Sequence, residues 1–219
     1  MERNNESLAL ISDKDIQELN DVRTKLEQTL MTKLRNAGIY FHSMSRVKTL
    51  TSLQRKLDTG KYGTGKDDKK IQDLIGIRIN LFYTEDIRIS EALLEDTFMV
   101  DNWSKTAWEE NRFEAQKCNG VFKIPSKYLI NISDQLWEQP FDRTFEVQLR
   151  TVLFEGWHEI EHEMRYKYKM DEGFDDNRSS LWDGQEKDAR MMNSIIANLE
   201  LCDWSIVQIF DNLARDQYI

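Results

Sequence analysis

The 219 residues predict an α/β fold, and three observations carry that prediction. An isoleucine-rich run, Leu74 to Tyr83, reads as a buried strand, and a helical segment from Asp86 to Leu94 follows it at once. Residues 144–151, TFEVQLRT, alternate strictly: Phe145, Val147 and Leu149 point one way and Glu146, Gln148 and Arg150 the other. A helix follows with Leu153, Trp157, Ile160, Met164 and Tyr168 on its apolar stripe, and helical periodicity brackets both ends of the chain.

The first element is an amphipathic helix over 12–37. Its apolar positions Ile16, Leu19, Val22, Leu26, Leu30 and Leu34 recur at helical spacing, Ser12 with Asp15 is the start signal, and Gly38 is the stop. Residues Ile39 to Arg46 read as extended, and a short helix from about Thr51 ends at Gly60. The loop KYGTGKDDKK separates it from the strand at Leu74. Further strands are expected at 97–103, 120–124 and 127–132, with the polar segment 104–118 as a loop among them. A last helix, about 185–215, closes the chain. No internal repeat and no linker rich in Pro, Gly or Ser divides it, so 1–219 reads as a single domain with its core at about 40–170.

A hydrophobic fraction of 40% and an aromatic fraction of 11% suffice for a buried core. The net charge of −9 sets the surface as a whole against polyphosphate, which argues against extended nucleic-acid binding and requires a local cation cluster for any bound anion. No apolar run approaches the ~20 residues of a membrane span and no secretion signal opens the chain, so a cytoplasmic protein without membrane contact is expected. Cys118 and Cys202 show neither metal-ligand nor disulfide spacing.

Three groups of residues could carry chemistry. Arg46 and Lys48 stand at the mouth of a helix that carries Ser52 and Lys56 at i,i+4 spacing, an arrangement that suits a triphosphate as well as a solvated basic face. Asp73 precedes the isoleucine-rich strand and Arg78 lies inside it, where a guanidinium needs a carboxylate or a phosphate. Strict alternation puts these two on opposite faces, so a shared site requires Asp73 to lie on the turn entering the strand. Glu146, Gln148 and Arg150 line up on the non-core side of one strand; Glu146 and Asp73 could together hold Mg²⁺, although a plain solvent-facing strand has the same pattern.

Two motifs are weaker. Residues 60–67, GKYGTGKD, fall one residue short of a P-loop, place Asp67 where Ser or Thr should bind metal, and follow a helix where a strand belongs. His158-Glu159-Ile160-Glu161-His162 matches HExxH, but a zinc would need a third ligand, for which Glu186 downstream is the candidate.

In order along the chain, Arg46-Val47-Lys48 with Ser52 and Lys56, Asp73-Leu74-Ile75-Gly76-Ile77-Arg78, Glu146-Val147-Gln148-Leu149-Arg150-Thr151, and Trp157, Glu161-His162 and Tyr166-Lys167 resemble the synthetase domain of the RelA/SpoT family. The resemblance implies a mixed sheet of about five strands flanked by helices, the nucleotidyltransferase-like synthetase fold. It implies an enzyme that transfers the β,γ-diphosphate of ATP to the 3′-hydroxyl of an acceptor nucleotide. Arg46, Lys48, Ser52, Lys56 and Arg78 would bind ATP, helped by Gln148, Arg150 and Lys167; Asp73 and Glu146 would hold Mg²⁺, with Glu146 activating the hydroxyl; His162 would touch nucleotide. The small members of the family also imply a homo-oligomer.

The departure lies at the acceptor segment. Lys117, Asn119 and Gly120 match the family's Lys-Pro-Asn-Gly-Tyr, but Val121 replaces the tyrosine that stacks on guanine and Pro125 the histidine that follows. Stacking platforms contribute about 1–3 kcal/mol per base, so Phe122 or Tyr128 is expected to serve instead. Three readings stand: a pyrophosphokinase acting on GDP, GTP, an adenine nucleotide or the 3′ end of tRNA; a nucleotide-binding regulatory relative without the guanine site; and a zinc hydrolase.

Overall fold

In a computed structural model, which describes residues 11–65, 68–107, 109, 113, 116–167 and 185–217 (the side chains of 164–167 apart), five strands form one mixed sheet. The elements are α1 (Asp13–Asn36), β1 (Phe41–Val47), α2 (Leu50–Asp58), β2 (Ile75–Leu81), α3 (Asp86–Thr97), β3 (Val100–Lys105), β4 (Cys118–Lys123), α4 (Asp134–Glu138), β5 (Thr144–Thr151), α5 (Val152–Lys167) and α6 (Glu186–Gln217). The strand order is β1-β2-β5-β4-β3. Only the central pair β2 and β5 runs parallel; β1 joins β2, and β4 joins β5 and β3, antiparallel.

Register assigns each residue a face. Ile75, Ile77 and Ile79 lie beside Phe145, Val147 and Leu149, and Phe122 and Gly120 of β4 continue that row. This face is the core, and α1 packs on it through Leu19, Val22, Leu26, Leu30 and Leu34, each at most 2% exposed and each leucine contributing roughly 1.5–3 kcal/mol of burial. Ser12 and Asp15 close the helix start as a capping box. The opposite face presents Gly76, Arg78 and Asn80 beside Glu146, Gln148 and Arg150, flanked by Arg46 and Met44 of β1 and by Asn119 and Val121 of β4.

Three expectations fail. Residues 127–132 are not a strand: a 3-10 turn, Ser126–Tyr128, and bends occupy the segment, and the backbone N–H groups of Tyr128, Leu129 and Ile132 bond locally to Pro125, Ser126 and Leu129. The polar loop does not extend to 118, because β4 begins at Cys118. On α5, Ile160 is 59% exposed while Phe154, Glu155 and Glu161 are buried, so the helix is rotated from its apolar stripe to aim carboxylates inward. Tyr168 and the P-loop-like Lys66 and Asp67 lie outside the described residues.

Candidate active site

The face opposite the core and the inner side of α5 enclose a cavity of about 420 Å³. Arg46, Lys48, Asp73, Arg78, Glu146, Gln148, Arg150 and His162, all singled out in the sequence, line it, together with His158 and Glu159. The parallel pairing of β2 with β5 makes this possible: Glu146 lies beside Gly76 in register, and Gln148 beside Arg78.

Asp73 reaches the same cavity because it precedes β2 on a pinned stretch. Ile71 bridges to Phe141, Ile71 N–H donates to Pro140 O at 2.7 Å, and Lys48 N–H donates to Leu74 O at 2.8 Å, so both sides of Asp73 are fixed. Lys48 Nζ and Lys56 Nζ each donate to its carboxylate at 2.7 Å. Burial alone would raise its pKa, but the two ammonium groups hold it below the usual carboxylate value.

Glu146 is oriented on both oxygens. Asn119 Nδ2 donates to Oε1 at 3.0 Å and Gln148 Nε2 to Oε2 at 2.8 Å, while Gln148 Oε1 accepts from Arg78 Nε at 3.2 Å. A carboxylate has about four lone-pair sites, so two remain for a metal or a hydroxyl.

Arg78 does not pair with Asp73. Its Nη1 donates to Glu155 and, at 2.5 Å, to Glu159, both on α5. Burial disfavours its charge, but these two carboxylates more than offset that and raise its pKa. Arg150 lies 3.5 Å from Glu155, an ion pair without hydrogen-bond geometry, and burial and the neighbouring Arg78 lower its pKa. Burial, Arg150 and Arg78 push His158 down to about 4, so its imidazole is neutral at neutral pH. The sequence alone does not mark Glu155 and Glu159 as arginine partners; their i,i+4 spacing one turn into the helix after β5 is the signal it carries.

Several sequence assignments fall elsewhere. Ser52 does not line the cavity; it belongs to the start of α2, where its N–H and Oγ meet Thr49 Oγ1. The side chain of Lys167 lies outside the described residues. Phe122 cannot be a stacking platform, because it is fully buried on the core face against Phe98, Phe145 and Trp103. Gly120 is on that face too, where a Cβ would come within 2.5 Å of the Phe122 ring. Tyr128 also faces the core side, with its hydroxyl 3.1 Å from Thr29 of α1. Lys117 is exposed and lines a second cavity by α3 and α6, away from Glu146. Of the acceptor segment, Asn119 alone turns a polar side chain to Glu146.

The zinc reading loses its ligands. Among the described residues no group of three His, Cys, Asp or Glu could hold a metal ion. Glu159 is spent on Arg78.

The sequence profile described as a region found in RelA / SpoT proteins matches residues 45–171, more than half of the chain. The chain belongs to the RelA/SpoT family. No curated protein sequence matches it. Among solved structures, the small alarmone synthetase 2 of Bacillus subtilis superposes with a TM-score of 0.62 at 16% identity, covering 90% of this chain and 97% of that one. The small alarmone synthetase 1 of Bacillus subtilis bound to its product pppGpp gives 0.63 at 19% identity, covering 92% and 95%. A GTP pyrophosphokinase family protein from Streptococcus pneumoniae gives 0.56 at 20% identity, covering 94% and 93%. At these identities the likeness is one of fold: this RelA/SpoT chain has the five-stranded mixed sheet and flanking helices of the alarmone synthetases. Among the described residues, no helix is long and apolar enough to cross a membrane.

Proposed function

We propose that this protein is a pyrophosphokinase that moves the β,γ-diphosphate of ATP to the 3′-hydroxyl of an acceptor nucleotide. The observation that carries the reading is the meeting, in one cavity, of two oriented carboxylates, Asp73 and Glu146, with the cations Arg46, Lys48, Arg78 and Arg150. Lys56 joins them through Asp73. Family membership and neighbours described as bound to pppGpp or to AMPCPP, an ATP analogue, support it.

The acceptor oxygen forms a bond to the β-phosphorus as the bond from that phosphorus to the α-phosphate oxygen breaks, and AMP leaves. Glu146 takes the hydroxyl proton; Asn119 and Gln148 hold its carboxylate in position to do so. Lys48, Lys56 and Arg78 neutralise the transferred group, the main demand of a phosphoryl-type transfer. Asp73 and Glu146 suit Mg²⁺: both offer carboxylate oxygens to one cavity, and the lysines keep Asp73 ionised. The metal would supply charge neutralisation on the phosphates. The acceptor stays open among GDP, GTP, an adenine nucleotide and a tRNA 3′ end, since neither Phe122 nor Tyr128 provides a ring on this face. That observation also supports the second reading, a nucleotide-binding relative without the guanine site. The apolar residues that α6 leaves exposed, among them Met191, Ile195, Ile209 and Leu213, support association of copies through that helix.

Incubation with Mg²⁺, γ-labelled ATP and each acceptor in a separate tube tests the proposal. Label on one acceptor with released AMP is expected, and Glu146→Gln should abolish it while circular dichroism stays unchanged. ATP binding without transfer to any acceptor would select the regulatory reading.

A further inference from the structure

The HExxH segment holds a residue that neither a zinc site nor the transfer reaction uses. Arg78 carries two carboxylates at once, from Glu155 and Glu159, one turn apart on α5. They differ in environment: the Glu155 side chain is 8% exposed and also lies 3.5 Å from Arg150, whereas the Glu159 side chain is 52% exposed. Arg150 balances Glu155, so Glu159 is the second carboxylate on a guanidinium that Glu155 already engages.

A phosphate that approaches Arg78 therefore meets Glu159 already at the guanidinium. Two anions at contact distance repel by more in a partly enclosed cavity than in water. Glu155 cannot yield, because its side chain is buried and moving it would take the nearest carboxylate from Arg150, itself 11% exposed. Glu159 can, because its half-exposed side chain has open solvent to enter, where rehydration offsets the lost ion pair.

We propose that Glu159 is the affinity-determining residue of the donor site: a displaceable counter-ion that occupies Arg78 and that a polyphosphate must expel in order to bind. The inference rests on the donor reading given above. It assigns opposite duties to two glutamates on one helix, Glu155 as the fixed anchor of Arg78 and Glu159 as the group that ligand replaces. It also gives the HExxH segment a role in which its glutamate is paired with an arginine and not with a metal-bound water.

Isothermal titration of Mg·ATP, and separately of inorganic tripolyphosphate, into the wild-type protein, Glu159→Gln and Glu163→Gln tests this. Glu159→Gln should tighten both ligands at least threefold, and Glu163→Gln, a change of the same charge on the same helix, should leave both within twofold. Equal or weaker binding by Glu159→Gln overturns the inference, because it makes Glu159 a positioning residue for Arg78 or an idle one. Equal tightening by Glu163→Gln overturns it too, by reducing the effect to general charge. Tripolyphosphate binding that tightens in Glu159→Gln without any ATP binding would sink the nucleotide-donor reading and leave Glu159 as the displaceable counter-ion of a polyphosphate site. Binding of neither ligand by wild type or Glu159→Gln would remove both.

Discussion

Asp73 is the carboxylate that holds Lys48 and Lys56, and its setting makes its contribution measurable without any ligand. Lys48 and Asp73 are 13% and 23% exposed at the side chain, so their pair is only partly screened by water. In Asp73→Asn, Lys48 and Lys56 lose their shared counter-ion, and the half-buried Lys48 ammonium is left facing an amide. Breaking a buried pair from one side costs 3–5 kcal/mol, and partial exposure reduces that here to about 1–3 kcal/mol at pH 7. The folded-state pKa lies below the ordinary 3.8, so the wild-type advantage is fully present above 3.8 and disappears as the pH falls through the folded value. Urea denaturation of both proteins at pH 7 and at pH 3 checks this: the gap should narrow in acid, and a gap that is constant with pH would mean that the carboxylate's charge is not what stabilises the pair.

β4 shows how an element can be read correctly as structure and misread as chemistry. Its two faces alternate: Asn119 and Val121 sit beside Gln148 and Glu146, while Gly120 and Phe122 sit beside Val147 and Phe145. Gly120 is required by packing, since a Cβ there would lie 2.5 Å from the Phe122 ring and 2.8 Å from the Trp103 ring. Those rings are held edge-on to each other at 5.4 Å and cannot both move without disturbing Phe98 and Phe145. Gly120→Ala should therefore destabilise the protein by about 1–3 kcal/mol, an overpacking cost read from thermal or urea melts. A neutral or stabilising result would show that the rings have room to shift. The sequence carries period-2 alternation well, which is why β2 and β5 and the side of the sheet that bears Glu146, Gln148 and Arg150 were legible. It does not say which strand neighbours which. Without the β4–β5 register, Asn119-Gly120 looks like the tip of an acceptor loop and Phe122 like a platform; with it, one residue orients Glu146 and the other two build the core. The turn at 126–132 and the rotation of α5 escaped for the same reason, because only tertiary contacts decide which apolar residues, Leu129 and Ile132 or Ile160, find a partner.

Against a net charge of −9, the cavity that Arg46, Lys48, Arg78 and Arg150 line offers a polyphosphate local cations that the molecule as a whole does not. α6 meets the opposite problem, burial of negative charge. α6 runs for 32 residues yet buries only Ile196, Glu200 and Asp203 against the rest of the described chain. Asp203, 4% exposed, accepts a hydrogen bond from Thr151 Oγ1 at 2.9 Å and so ties the helix to the end of β5. No described lysine or arginine pairs with it. Burial is the main cause that raises its pKa above 3.8, Glu85 adds repulsion, and the hydroxyls of Thr151 and Thr84 only partly oppose them. A carboxyl whose folded pKa is raised stabilises the fold most when protonated. Its contribution is fully present below 3.8 and is lost as the pH rises through the folded value, because the unfolded chain ionises at less cost. Asparagine keeps an acceptor for Thr151 Oγ1 and has no charge to bury. Asp203→Asn should accordingly match the wild type in urea melts at pH 3.5 and exceed it at pH 7 by on the order of 1 kcal/mol. Loss of stability at pH 7 would instead mean that an ionised Asp203 is what anchors α6.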